Sequence, residues 1–205
     1  MKWLDRLERK FDRFSIGNLM QYVCLTMAAV WIFSILQPYV PLRSLISLSP
    51  YRIRQGQIWR LITFIFEPPG YGLLTPFLIL FYYWIGRSLE YYWGTTRFNL
   101  YYLFGILGAV LGAFLTGATG TSEYLNLSLL LAWVALFPDM QVLLLGLIPF
   151  KLKWLGWIEG VYLALNFLAG SWPSRVALLL SVANFLLFFG PTLWNRLRRS
   201  WPRRY

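Results

Sequence analysis

The residues able to do chemistry are few. The chain has 205 residues and no histidine, one cysteine and eight acids, so imidazole general-base chemistry is excluded and an intramolecular disulfide cannot form. Cys24 lies inside an apolar run and carries no readable redox role. A Ser/Lys dyad needs an amine within hydrogen-bond reach of a hydroxyl. The four lysines, Lys2, Lys10, Lys151 and Lys153, fall in segments that group at one face of a membrane, whereas Ser122 falls near the other. A hydrocarbon core of about 30 Å separates them. Ser128 sits nearer mid-depth, again with no lysine beside it in sequence. Neither a metal centre nor a cofactor is expected from these residues.

The remaining polar groups stand at particular places. Glu123 opens a short apolar run and shares a helical face with Asn126. It reads either as an acid favoured by a helix start beside Ser122 or as a polar anchor in a wet cavity. Ser181 and Asn184 share a face of a later apolar run. Glu159 lies little more than one turn beyond Lys153 and Trp154 and reads as interfacial. Trp59 and Arg60 suit an interfacial anchor, the arginine snorkelling to water. Glu90 and Arg97 bracket a turn at which Gly94 supplies an unusual backbone angle and Glu90 accepts turn amides.

The elements that must hold these groups are membrane spans. Hydrophobic residues make up 58% of the chain, charged ones only 13% and aromatics 20%, with 11 Trp and 13 Tyr. A soluble domain is about a quarter charged, and the aromatic excess suits two interfacial belts. Residues 1–14 alternate apolar and charged positions at helical spacing and read as an amphipathic surface helix. Spans are expected at roughly 19–36, within 68–86, within 98–122, at 124–138, at 154–169 and at 176–193. Residues 37–67 hold three prolines and four arginines yet stay half apolar, which predicts an outer loop packed into the headgroup layer. Residues 140–153 suggest a hairpin-like stretch, and 194–205 a basic tail. The third span carries Gly105, Gly108 and Gly112, a thin face for close helix approach within the chain.

Six spans put both termini on one side. That side then holds 14 of the 19 basic residues, leaving Arg43, Arg52, Arg54, Arg60 and Arg175 for the other. The positive-inside rule makes the richer side cytoplasmic. The net charge of +11 is thereby assigned to orientation and anionic lipid, since no long polar domain exists to carry a nucleic-acid surface.

Two strings are more specific than composition. One is Gly56-Gln57-Ile58-Trp59-Arg60-Leu61-Ile62-Thr63-Phe64-Ile65-Phe66. The other is Gly86-Arg87-Ser88-Leu89-Glu90-Tyr91-Tyr92-Trp93-Gly94-Thr95-Thr96-Arg97-Phe98. Together with Leu136-Phe137-Pro138 and the stretch Ile148 to Trp154, they resemble the rhomboid superfamily in order over about residues 42–190. The resemblance implies an all-α integral membrane protein: a rhomboid-like bundle of six transmembrane helices with a membrane-embedded first outer loop. It also implies where the chemistry should be, and there the chain departs from the pattern. Glu123 stands at the family's nucleophile position, Leu74 and Leu78 stand where oxyanion-stabilising His and Asn are expected, and Ser181 and Asn184 occupy the span that should carry the base histidine.

The expected function is therefore a bacterial rhomboid pseudoprotease. It would reside in the cytoplasmic membrane, binding the lipid bilayer and transmembrane segments of client proteins and influencing their stability or trafficking. Glu123, Asn126, Ser181, Asn184, Leu74 and Leu78 would line the client cavity. The rivals are an active intramembrane serine protease and a small transporter or lipid-handling protein; ion coupling would call for more intramembrane charge than Glu123 and Glu159 supply.

Overall fold

The computed structural model describes residues 2–144 and 148–200; Arg203 and Arg204 of the expected tail, and the middle of the expected hairpin, lie outside the described residues. Helix α1 (Lys2–Phe11) is amphipathic and buries Leu4 while exposing Arg6, Arg9 and Lys10. It does more than lie on a surface, because Glu8 pairs with Arg97 and the Thr96 hydroxyl donates to Asp12 at 2.6 Å. Helix α2 (Leu19–Leu36) turns Met20, Val23, Cys24 and Met27 inward. That spacing is one face of a helix. Its other faces expose Leu25, Ile32, Phe33, Ile35 and Leu36, as expected where the surroundings are lipid.

The segment after α2 folds as three short helices, α3 (Leu42–Ile46), α4 (Pro50–Arg54) and α5 (Arg60–Thr63). Leu48 pairs with Gly120 through reciprocal backbone hydrogen bonds of 3.2 and 2.8 Å, which tie this segment to the later connection at 117–122.

Helix α6 (Thr75–Trp93) is displaced from the expected second span. It starts later because Pro68, Pro69, Gly70 and Gly72 do not hold a helix, and it continues through Arg87 and Glu90, so residues 87–93 are not a loop. Helical periodicity, which puts Gly86 and Glu90 on one inward face, overrides their charge content. The turn is confined to Gly94, whose φ of 84° is a left-handed value that glycine adopts without strain. Helix α7 (Thr95–Thr116) follows directly. Its glycine face meets α8 (Glu123–Leu136) and α10 (Trp172–Ser200): a Cβ on Gly105 would fall 2.3 Å from Leu125 Cδ1, and one on Gly112 would fall 3.0 Å from Leu180 Cδ1. The close approach is thus spent inside the chain. Between α8 and α9 (Leu152–Ala169) lies an antiparallel hairpin, β1 (Gln141–Leu144) and β2 (Ile148–Lys151), with Gln141 opposite Lys151.

The bundle has two distinct ends. One gathers α1, the Gly94 turn and the hairpin; the other gathers the α3–α5 segment, residues 117–122 and the α9–α10 connection. Among the described residues, Leu19–Leu36, Thr95–Thr116 and Trp172–Gly190 are helices long and apolar enough to cross a membrane, as expected of a membrane protein. Helices α6 and α9 are of spanning length but carry Arg87 and Glu90, and Lys153 and Glu159. Helix α8 is apolar but has only 14 residues. At 1.5 Å per residue it reaches roughly 21 Å, some way short of an apolar core of roughly 30 Å.

Candidate functional site

The shortness of α8 sets up the site. Its start gathers polar groups, and the chain on either side supplies some of their partners. The α5–α6 connection does part of this. The Ser122 hydroxyl does not cap its own helix; it donates to the backbone carbonyl of Glu67 at 3.1 Å. The Asn126 amide, one turn further along α8, donates back to Ser122 Oγ at 3.4 Å. Glu67 is 3% exposed and takes one charge-assisted hydrogen bond, from Arg43 Nε to Oε1 at 2.8 Å. The Arg43 side chain itself is largely exposed.

Burial pushes the Glu67 carboxyl above its ordinary value. The Arg43 guanidinium works against that rise, and the nearby Glu123 charge adds to it. Tyr71, in the same connection, is also pushed up, by burial and by the Glu67 charge.

Glu123 lies at the rim, exposed, and accepts a hydrogen bond from the Tyr162 hydroxyl of α9 at 2.8 Å. Together these groups line a partly open cavity of about 270 Å³, whose apolar lining includes Leu78, Tyr82 and Leu127. Helix α8 packs against both α6 and α9, so the cavity lies where three helices and the α5–α6 connection converge.

The expected site residues divide into three groups. Glu123, Asn126 and Leu78 line this one cavity. Ser181 and Asn184 do not. The Ser181 hydroxyl donates to the Tyr124 carbonyl at 2.6 Å. The Asn184 amide donates to the Tyr101 carbonyl at 3.3 Å and to Ser128 Oγ at 3.5 Å. They bind α10 to α8 and α7, and the Tyr101 hydroxyl completes that knot by donating to the Ser128 carbonyl at 2.8 Å and meeting the Ser128 hydroxyl. Leu74 is in neither network: it caps α6 from outside and is 61% exposed, because α6 starts only at Thr75.

The motif residues are structural, in ways both expected and not. Glu90 Oε1 accepts the Asn18 amide at 2.8 Å and the Thr95 hydroxyl at 3.1 Å, so it organises two turns at once. Trp93 packs against Tyr101 and Phe189 with ring centroids 5.3 and 5.0 Å apart. Gly86 lies where Met20 allows no Cβ, the nearest atom being 2.3 Å away. Gly108 has more room, with Leu180 Cβ at 3.8 Å. Trp59 is exposed.

Arg60 overturns its expected snorkelling. It is fully buried, donating to Gln57 Oε1 at 2.7 Å and to the carbonyls of Ser44 and Ser47 at 2.8 and 2.9 Å. Free carbonyls in a tightly folded loop outcompete water for a guanidinium that reaches three acceptors at once. Glu159 likewise is not interfacial in its packing: it is 4% exposed, and neither carboxylate oxygen has a hydrogen-bond partner among the described residues.

Sequence reasoning missed Arg43, Glu67, Ser122 as a bridge, Tyr162, and the Tyr101–Ser128 pair. The one available signal was Glu67 directly before Pro68-Pro69, an acid at a helix break rather than a mere span boundary. Compared with known proteins, the chain matches no family model and no curated protein.

Proposed function

We propose that this chain is a non-catalytic, rhomboid-like six-span membrane protein that binds transmembrane segments of client proteins and affects their stability or trafficking. The long helices α2, α6, α7, α9 and α10, together with the shorter α8, are the spans of this reading. Both termini then lie in the cytoplasm, because α1 and the hairpin share the end richer in basic residues.

The observation that carries the reading is the polar cavity at the recessed start of α8. A helix entering the bilayer beside α8 would meet its Glu123–Tyr162 rim and then the Leu78 and Leu127 wall. The hydroxyls beside it support a binding role over a hydrolytic one. Ser122 gives its proton to a carbonyl, and Ser128 is held by Tyr101 and Asn184, so each hydroxyl is committed to holding the bundle. A nucleophile would need a base at that position.

The test is a photoreactive residue at Leu127 in native membranes. Crosslinks to single-span or multi-span proteins, weakened by Glu123→Leu more than by Glu123→Gln, are expected. Labelling of lipid alone refutes client binding. Cleavage of a reporter transmembrane substrate that is lost in Ser122→Ala or Ser128→Ala refutes the non-catalytic half.

A further inference from the structure

The cavity's unused atoms are all of one kind. Glu67 Oε2 and Asn126 Oδ1 are buried without a hydrogen-bond partner, and both residues line it. Glu67 and Asn126 are 3% and 1% exposed, so neither orphan is at the surface. The unpartnered donors among the described residues, such as Trp133 Nε1 and Arg175 Nε, belong to residues that do not line this cavity. Buried acceptors left empty are costly. Whatever fills this cavity must therefore donate hydrogen bonds.

Charge points the same way, since Glu67 and Glu123 both line the cavity. The one cation there, Arg43, is committed to Glu67 Oε1 and leaves Oε2 empty. No group of three acidic, His or Cys residues among the described residues is arranged to hold a metal ion. A spread of acceptors in a space of about 270 Å³ instead suits a larger donor with several N–H groups.

We propose that this cavity receives a lysine or arginine side chain carried by a client transmembrane segment, and so selects clients by an intramembrane positive charge. The proposal rests on the client-binding reading and adds its selectivity. Depth favours a side chain over a lipid headgroup. With the Leu136 end of α8 set at the opposite interface, as in the six-span reading, a helix of roughly 21 Å in a core of roughly 30 Å starts some 9 Å below the interface where headgroups reside. A basic residue on a spanning helix costs energy unless it finds such a partner.

The test uses the full-length chain in phosphatidylcholine vesicles. The probes are leucine–alanine peptides of about 21 residues bearing lysine, glutamine or leucine about six residues inside one end. Binding is read by energy transfer. The lysine peptide is expected to bind about tenfold more tightly than the glutamine peptide, the scale of one charge-assisted hydrogen bond. Glu67→Gln should abolish the preference. Should that variant fail to fold, Glu123→Gln, altered at the exposed rim, should still reduce it. Equal binding of lysine and glutamine peptides overturns the selectivity and leaves client binding standing. Failure of every peptide to bind overturns both. A lysine preference that disappears when phosphatidylethanolamine is added overturns the assignment to a client, since a lipid ammonium would then hold the cavity.

Discussion

Arg60→Ala should loosen the α3–α5 segment without unfolding the bundle. The guanidinium makes three hydrogen bonds, two of them to the Ser44 and Ser47 carbonyls, and it is fully buried. Bonds to a charged donor contribute roughly 1.5–3 kcal/mol each, so gross loss is roughly 5–9 kcal/mol. Against that stands the cost of burying the cation, whose Nη2 has no partner. Removing the guanidinium leaves three neutral acceptors without a donor, each costing roughly 1–3 kcal/mol if it stays buried, and with the relief of the buried cation the net loss should be about 3 kcal/mol. Arg60→Lys keeps the charge but not the planar fork, and should cost about half as much. Because the loss is local, it should be read as the rate of limited proteolysis within residues 37–67 in proteoliposomes, under conditions where cleavage follows the opening equilibrium. Cleavage should rise about a hundredfold for Arg60→Ala and about tenfold for Arg60→Lys. Arg54→Ala, at an exposed arginine of the same segment, should change little. If Arg60→Lys behaves like the wild type, Arg60 is a snorkelling anchor after all and the stapling argument fails.

Two further outcomes are expected. Glu67 has a raised pKa in the folded state, so its contribution to stability is fully present below the unfolded value and is lost as pH rises through the folded one. The melting temperature of the wild type should therefore fall relative to Glu67→Gln as pH rises from roughly 4 to roughly 8, the range above an ordinary glutamate. A difference that is flat with pH would show that burial does not govern this carboxyl. For topology, cysteines are placed one at a time on a Cys24→Ser background. An impermeant maleimide should reach Arg54→Cys from outside intact cells and Arg13→Cys only after permeabilisation; the reverse pattern would invert the proposed orientation.

Helix positions were legible where apolarity and helical content coincide, as in α2, whose bounds at 19 and 36 need only the length of its apolar run. They were not legible where charge enters a helix. A charge-free window ended at Arg87, but α6 runs on because Glu90 is consumed by Asn18 and Thr95 rather than by water. The same blindness moved Leu74 into the cavity: register counted from Gly86 is sound along the helix but fails past its start, and Thr75 is that start. Tertiary partners were the larger gap. Nothing in the spacing of Glu67 and Ser122, 55 residues apart, announces that one donates to the other's backbone. The placement of Glu123 and Asn126 on one face followed from helical periodicity alone, and both line the same cavity. Ser181 and Asn184 were rightly seen as a shared face of α10, but a shared face does not tell which neighbour it meets.

The division of polar groups is itself an argument. Those between α7, α8 and α10 bond chiefly to one another: Tyr101, Ser128 and Asn184 are linked, and of these three side chains Asn184 Oδ1 alone is left over. Those at the start of α8 are only half bonded: Ser122 is used, while Glu67 and Asn126 each keep an acceptor in reserve. A bundle selected for stability alone would fill such a recess with apolar side chains, since a buried group left unpaired is costlier than its hydrophobic replacement. Leu78 and Leu127 already stand in its wall, so apolar residues are sterically tolerated around this space. Retaining a carboxylate and an amide there, with a second carboxylate at the rim hydrogen-bonded to a neighbouring helix, makes sense if the missing donors arrive with a partner. On the proposed reading, the recess at the start of α8 would serve recognition, with Ser122 holding the bundle rather than acting as a nucleophile.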